Sequence, residues 1–240
     1  KVNVYKLNLF TCIFFSLTII LIIIILVTCQ PDLGTSILIA LSGLIILWLG
    51  GVKIKYFFFS FLTFLISLTF IISNLTPYQK LRILTFLDPD RDPLGAGYQI
   101  IQSKIAIGSG GFSGKGFLQG TQSYLDFLPE KHTDFIFTLF SEEFGFIGST
   151  GLLLLYLIII IRIIRIGVIS RNSFAKLFCF GFAFSIFIYI TVNLSMVLGL
   201  LPIVGSPLPI MSYGGSSMLA TMIGFGIVLS AKVHSKQTIA

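Results

Sequence analysis

The sequence predicts an all-α polytopic membrane protein, with six transmembrane helices and one long extracytoplasmic loop in a single membrane domain over residues 1–240. Composition is the first reason: 55% of residues are hydrophobic and 10% charged, with a mean hydropathy of +1.01, against about 25% charged in soluble domains. The second is a series of uncharged apolar runs, each near the ~20 residues one crossing needs. The third is one polar, glycine-rich stretch, residues 77–133, among them. A cytosolic enzyme, a secreted disulfide scaffold and a disordered chain are excluded, because none could hide this apolar surface.

The first run, 7–29, has no charge and no small-residue cleavage site, so it reads as a spanning helix and not a signal peptide. Gln30-Pro31-Asp32 interrupts it. The second span, 33–52, ends at Lys53 and Lys55, and the third covers 56–76. The loop 77–133 follows. Tyr98, Ile100, Ile101, Ile105, Phe127 and Leu128 predict that it is folded and touches the membrane. Within it, Gly97–Ile107 reads as an amphipathic helix with Tyr98, Ile101 and Ile105 on one face, lying on the bilayer. A fourth span, 135–161, carries Glu142 and Glu143 near its start and is followed by Arg162, Arg165 and Arg171. Leu177 to Ala231 has no charge and is too long for one crossing. Pro202, Pro207 and Pro209 break it into spans 177–200 and 211–231.

Charge sets the orientation. The net charge of +7 comes from 16 Lys+Arg against 9 Asp+Glu. With both ends in the cytoplasm, the inner side holds Lys1, Lys6, Lys53, Lys55, Arg162, Arg165, Arg171, Lys176, Lys232 and Lys236. The acids Asp32, Asp88, Asp90, Asp92, Asp126, Glu130, Asp134, Glu142 and Glu143 fall on or near the outer side. That is the positive-inside pattern, and it leaves no reason to invoke nucleic acid. Cys12, Cys29 and Cys179 lie in or beside apolar runs without metal spacing and read as small hydrophobes.

Asp88, Asp90 and Asp92 alternate like calcium ligands, but such a loop needs Gly at its sixth place and Glu at its twelfth, where Pro93 and Gln99 stand. A Pro-punctuated turn fits better. Ile107 to Gly116 superficially resembles a Walker loop, yet Ser109 and Gly116 occupy two required positions. Its glycines would still let amides approach a pyrophosphate, with Lys115 adding charge; a plain flexible loop is the other reading.

Pro129 to Phe137 is the densest chemical cluster, where the loop re-enters the membrane. Two readings of Asp134 stand. It can be a general base on a sugar hydroxyl, or Thr133 and Asp134 can cap the following helix. Asp32 and Asn193 read as polar glue between packed helices. The small residues of Ser212 to Ser216 permit close helix contact.

Four blocks together resemble the SEDS proteins, the RodA/FtsW/SpoVE family: Gln30 to Thr35, Leu87 to Gly111, Phe127 to Phe137, and Leu201 to Ser217. Lys104 in its QSKIAIGSGG context, Gly114 to Gly116, and Gly120 to Ser123 look closer to the elongation branch, RodA, than to the division branch. The resemblance implies a peptidoglycan glycosyltransferase of the bacterial inner membrane that polymerises lipid II in cell-wall elongation and cell-shape maintenance. Undecaprenyl pyrophosphate would leave, and a class B penicillin-binding transpeptidase would be the partner beside membrane lipids. The family's essential carboxylate falls on Asp134. Lys104, Gln102, Lys115, His132, Arg82 and Glu142 are the candidate substrate-binding residues, with Arg91 and Lys131 as further cations of the loop. No metal ligand set is expected, and a divalent cation is the sole cofactor considered. Family members have about ten spans, so six spans and a start at Lys1 imply the C-terminal part of a longer enzyme. The alternatives are a lipid II flippase and a non-catalytic remnant that binds only the transpeptidase. Acids at the outer edge and nearly charge-free spans favour surface chemistry over translocation.

Overall fold

The computed structural model describes residues 9–30, 32–74, 76–92, 95–121 and 132–235, and every regular element among them is helical. In chain order these are α1 (Leu9–Thr28), α2 (Leu33–Leu49), α3 (Ile54–Asn74), α4 (Pro77–Leu87), a 3-10 turn (Pro89–Arg91), α5 (Ala96–Gly110), α6 (Ile136–Ile169), α7 (Ser173–Val197) and α8 (Gly215–Val233). Several positions weighed from sequence lie outside the described residues: Lys1, Lys6, Pro31, Pro93, Gln122, Ser123, Asp126, Phe127, Leu128, Pro129, Glu130, Lys131 and Lys236.

The chain divides into two compact units, Lys1–Thr76 and Pro77–Ala240. In the first, Asp32 starts α2 by accepting a hydrogen bond from the Thr35 amide at 3.1 Å. This carboxylate, read as packing glue, is therefore a helix cap. Gly43 lets α1 approach α2: a Cβ there would meet Ile20 Cδ1 at 2.9 Å. Leu38 and Leu47 of α2 are buried, whereas Phe58, Phe59, Phe61 and Ile66 on α3 are exposed. Such outward apolar faces suit lipid contact, not water.

In the second unit, α6 and α7 enclose a core containing Tyr156, Ile163, Cys179, Ile186, Met196 and Val197. The Cβ of Cys179 sits against Gly167, and the Phe182 ring covers Gly224 of α8. Among the described residues three helices, α6, α7 and α8, are long and apolar enough to cross a membrane. Shorter apolar stretches lie at Phe14–Thr28, Gly34–Leu49 and Ile54–Thr63. Cys29, expected to be buried, is exposed.

The helix limits differ from the charge-based spans for a physical reason. Arg162 and Arg165 end the apolar run but do not end α6, which continues to Ile169, because a charge marks the lipid boundary and not the last helical hydrogen bond. Asn172 then sets the start of α7, its side chain accepting from the Phe174 amide at 2.9 Å. Residues 211–214, placed in the last span, belong to the irregular segment before α8.

Among its described residues, the segment read as a long loop is largely helical. On α5, the buried positions are Gly97, Ile100, Ser103, Ala106 and Gly110. This face packs on α6, so a stripe of mostly small residues, not the apolar Tyr98–Ile101–Ile105 face, docks the helix. Tyr98 and Ile101 are half-buried and Ile105 is exposed. Among the aspartates of the preceding turn, Asp88 pairs with Arg91 at 2.9 Å and Asp92 accepts from the Ala96 amide at 2.9 Å. The second bond satisfies a first-turn donor of α5.

Candidate active site

Residues 132–135 form a turn into α6. Phe135, 1% exposed, anchors the turn in the core and is the cap residue of α6, without a side-chain cap bond. The first-turn amides of Thr138 and Leu139 instead reach the Phe135 carbonyl. The N-cap reading of Thr133 and Asp134 is therefore corrected: neither residue occupies the cap.

The turn is held by its own carbonyls. The His132 oxygen accepts from the Tyr213 amide at 2.9 Å. The Thr133 oxygen accepts from Ser212 Oγ at 2.6 Å, and the Asp134 oxygen from Asn193 Nδ2 at 2.8 Å. The backbone around the carboxylate is thus fixed while the half-buried side chain of Asp134 points to Gly205. A Cβ on that glycine would lie 3.5 Å from Asp134 Oδ2.

The segment from Leu198 to Gly214 that faces Asp134 is irregular but well tethered. Asn193 donates a second bond to the Ser206 carbonyl at 2.7 Å. Arg82 Nη1 donates to the Ile203 carbonyl at 3.1 Å, and the Tyr156 hydroxyl donates to the Pro209 carbonyl. Ser212 Oγ accepts from the Leu208 amide at 2.7 Å. The side chain of Lys104 lies over Gly199, where any Cβ would strike its Cε. Beside it, Ser103 Oγ donates to the Val197 carbonyl at 2.7 Å and shares a hydrogen bond with Thr138 Oγ1 at 2.8 Å. These two bonds tie α5 to the end of α7 and the first turn of α6.

A cleft of about 650 Å³ opens alongside, lined by His132, Ile136, Met211, Ser212, Tyr213, Gly214, Gly215 and Met218. His132 and Ile136, which bracket Asp134 in sequence, both line it. Its wall is mainly apolar, with the exposed His132 and Tyr213 as its titratable side chains.

The glycine-rich loop does something else. Helix α6 breaks at Gly145, with φ 63° and ψ −160°. The bonds Phe146 and Ile147 would make to the carbonyls four residues back are missing. Phe146 N donates instead to Gly111 O at 3.0 Å, and Ile147 N to Phe112 O at 3.2 Å. The released Glu142 and Glu143 carbonyls accept from Lys115 N and Gly116 N, both at 3.0 Å. The loop is inserted into the break and completes it. The reading of a pyrophosphate cradle is corrected, since the amides of Gly111, Gly114, Lys115 and Gly116 all donate to backbone carbonyls.

Lys115 also has a side-chain partner. Its Nζ lies 2.7 Å from Glu142 Oε1 and 2.8 Å from Thr121 Oγ1. Glu142 is fully buried, and the Lys115 side chain is 26% exposed. Removing one partner of such a pair takes the nearest opposite charge from the other in a dry site. Lys115→Met is expected to lower stability in detergent by about 3 kcal/mol. A second change, Glu142→Gln, is expected to restore most of it, as read from thermal unfolding.

A family model described as "Cell cycle protein", covering FtsW, RodA and SpoVE, matches residues 3–237. The chain belongs to this family. Over 214 residues it is 50% identical to the peptidoglycan glycosyltransferase MrdB of Escherichia coli, covering 88% of this chain and 57% of that protein. A chain of a solved peptidoglycan synthase complex, studied for its coordination of polymerization and crosslinking, is 34% identical with a TM-score of 0.75, covering 98% of this chain and 64% of that one. The rod shape determining protein RodA of Thermus thermophilus is 26% identical with a TM-score of 0.61, covering 93% of this chain and 57% of that one. The chain thus spans 57% of the length of curated relatives such as MrdB.

In this FtsW/RodA/SpoVE chain, the residues singled out from sequence fall into two groups. Asp134, His132, Arg82 and Lys104 all touch, adjoin or face the Leu198–Gly214 segment. Lys115 and Glu142 join each other at the α6 break. Gln102 is half-buried on α5. Reading the residues one by one did not foresee Ser212 as a tether or Thr121 as a partner of Lys115. Asn193 left a signal, being an amide inside an uncharged run; it is fully buried, but it ties α7 to the carbonyls of Asp134 and Ser206 in irregular backbone and not to another packed helix. Among the described residues, no group of three or more His, Cys, Asp or Glu side chains is placed to hold a metal ion.

Proposed function

We propose that the protein carrying this chain is a peptidoglycan glycosyltransferase that polymerises lipid II at the outer face of the bacterial inner membrane. The observation that carries the reading is the fixed turn that holds Asp134 between His132 and Ile136, both of which line an apolar cleft. Membership of a family that includes the named glycosyltransferase MrdB supports it. Asp134 takes the proton from the acceptor sugar's hydroxyl as that oxygen attacks the donor's anomeric carbon. The bond from the anomeric carbon to the phosphate oxygen breaks, and its electron pair leaves with the lipid pyrophosphate. Arg82 and Lys104 lie around the segment that faces Asp134, where cations stabilise the departing charge, and His132 adds a hydrogen-bonding side chain. Gln102 adds a polar contact from α5. Lys115 and Glu142 serve the same site indirectly, by holding the inserted loop. No covalent sugar–enzyme intermediate is required, because the carboxylate acts as a base.

The likeness to a chain from a complex of polymerization and crosslinking supports a transpeptidase partner. The charge distribution supports both ends in the cytoplasm and the α4–α5 region outside. The test is reconstitution of the full-length protein with its transpeptidase in liposomes containing labelled lipid II. Glycan strands and free undecaprenyl pyrophosphate are the expected products. Movement of lipid II between leaflets without strands would overturn the reading in favour of a flippase.

A further inference from the structure

We infer that Asn193 and Ser212 are positioning residues for the Asp134 carboxylate, an inference that rests on the reading of Asp134 as the base. Asn193 is fully buried in α7, and its two amide N–H groups are both used. One goes to the carbonyl of Asp134 itself, at 2.8 Å, and the other to the carbonyl of Ser206, at 2.7 Å. Ser206 follows Gly205, the residue the carboxylate faces. A single planar amide therefore fixes the backbone bearing the base and the backbone across from it. Ser212 works on the neighbouring residue: its hydroxyl donates to the Thr133 carbonyl at 2.6 Å while accepting from the Leu208 amide at 2.7 Å.

Both side chains grip main-chain carbonyls. The backbone position of the carboxylate relative to the opposite wall is therefore set by groups that need not touch substrate. A base must sit within hydrogen-bond reach of the proton it removes, so a shift of the turn lowers turnover more than binding. Leucine at 193 matches asparagine in size but donates nothing, releasing the Asp134 and Ser206 carbonyls together. Alanine at 212 releases only the Thr133 carbonyl and the Leu208 amide.

The experiment measures kcat and KM for lipid II polymerisation with the full-length protein and its partner in liposomes. Asn193→Leu is expected to lower kcat about a hundredfold and Ser212→Ala about tenfold, the scale of a misplaced catalytic group. KM is expected to stay within about twofold for both, the signature of an interaction lost in the transition state alone. Should Asn193→Leu fail to accumulate in membranes, Ser212→Ala, which adds no volume, decides the matter. Asp134→Asn is assayed alongside to separate the two claims. An active Asp134→Asn protein overturns the base reading. An inactive one, together with variants that keep kcat or change only KM, overturns the positioning role and leaves the base reading standing.

Discussion

Asp134→Asn is expected to lower lipid II polymerisation by about a thousandfold while the protein still folds, inserts and binds its partner. Asparagine is chosen because it has nearly the shape of aspartate and caps helices as well as aspartate does. A structural role for the side chain would survive the change; a proton-accepting role would not. The geometry favours a clean separation, because the bonds from Asn193 and Ser212 go to main-chain carbonyls of the turn. A thousandfold loss corresponds to about 4 kcal/mol of transition-state stabilisation, well beyond what one neutral surface hydrogen bond supplies. Strand formation is read by gel electrophoresis of labelled glycan. Membrane abundance and thermal unfolding, expected to match the parent protein, provide the control. Turnover near the parent level would remove Asp134 from the mechanism.

Much of this organisation was legible in the sequence. Apolar runs bounded by charge or proline placed the helices, since lipid demands length and apolarity together. Asp134 stood out because a carboxylate entering an apolar run needs a reason to be there. What the sequence hid were pairings between distant residues. Lys115 and Glu142 are separated by 27 positions, and nothing local says that one neutralises the other. The glycines of residues 108–116 signalled close backbone approach, but the approaching partner was the broken helix α6 and not a phosphate. The face of α5 that packs on α6 was not visible either. A stripe of Gly97, Ser103, Ala106 and Gly110 around Ile100 looks weak by hydrophobicity, yet small residues let helices approach closely in a membrane protein. One helix start was missed where a cap, not charge, sets it, at Asn172.

Gly145→Ala is expected to destabilise the fold by on the order of 4 kcal/mol, enough to prevent accumulation in membranes or to melt the inserted loop. Two costs add. At φ 63° and ψ −160° the residue occupies a region open essentially to glycine alone. A Cβ would also collide with the Gly114 amide nitrogen and approach the Ser113 carbonyl carbon to 2.8 Å. Backbone cannot swing aside as a side-chain tip can. Relieving the clash means withdrawing the loop, which strands Phe146 N and Ile147 N and frees the carbonyls of Glu142 and Glu143. The break could heal into a continuous helix only by abandoning four bonds to the loop for two within α6, and by undoing the main-chain contacts that surround the Lys115–Glu142 pair. Gly151→Ala is the matched control on the same helix. Nothing lies within 4 Å of its Cβ position, so a neutral or slightly stabilising effect is expected, alanine being the better helix former. Limited proteolysis and thermal unfolding of both variants provide the comparison. Cleavage within residues 111–116 should accelerate in Gly145→Ala and stay at the parent rate in Gly151→Ala. Equal resistance in the two would mean that the loop does not depend on the break in α6.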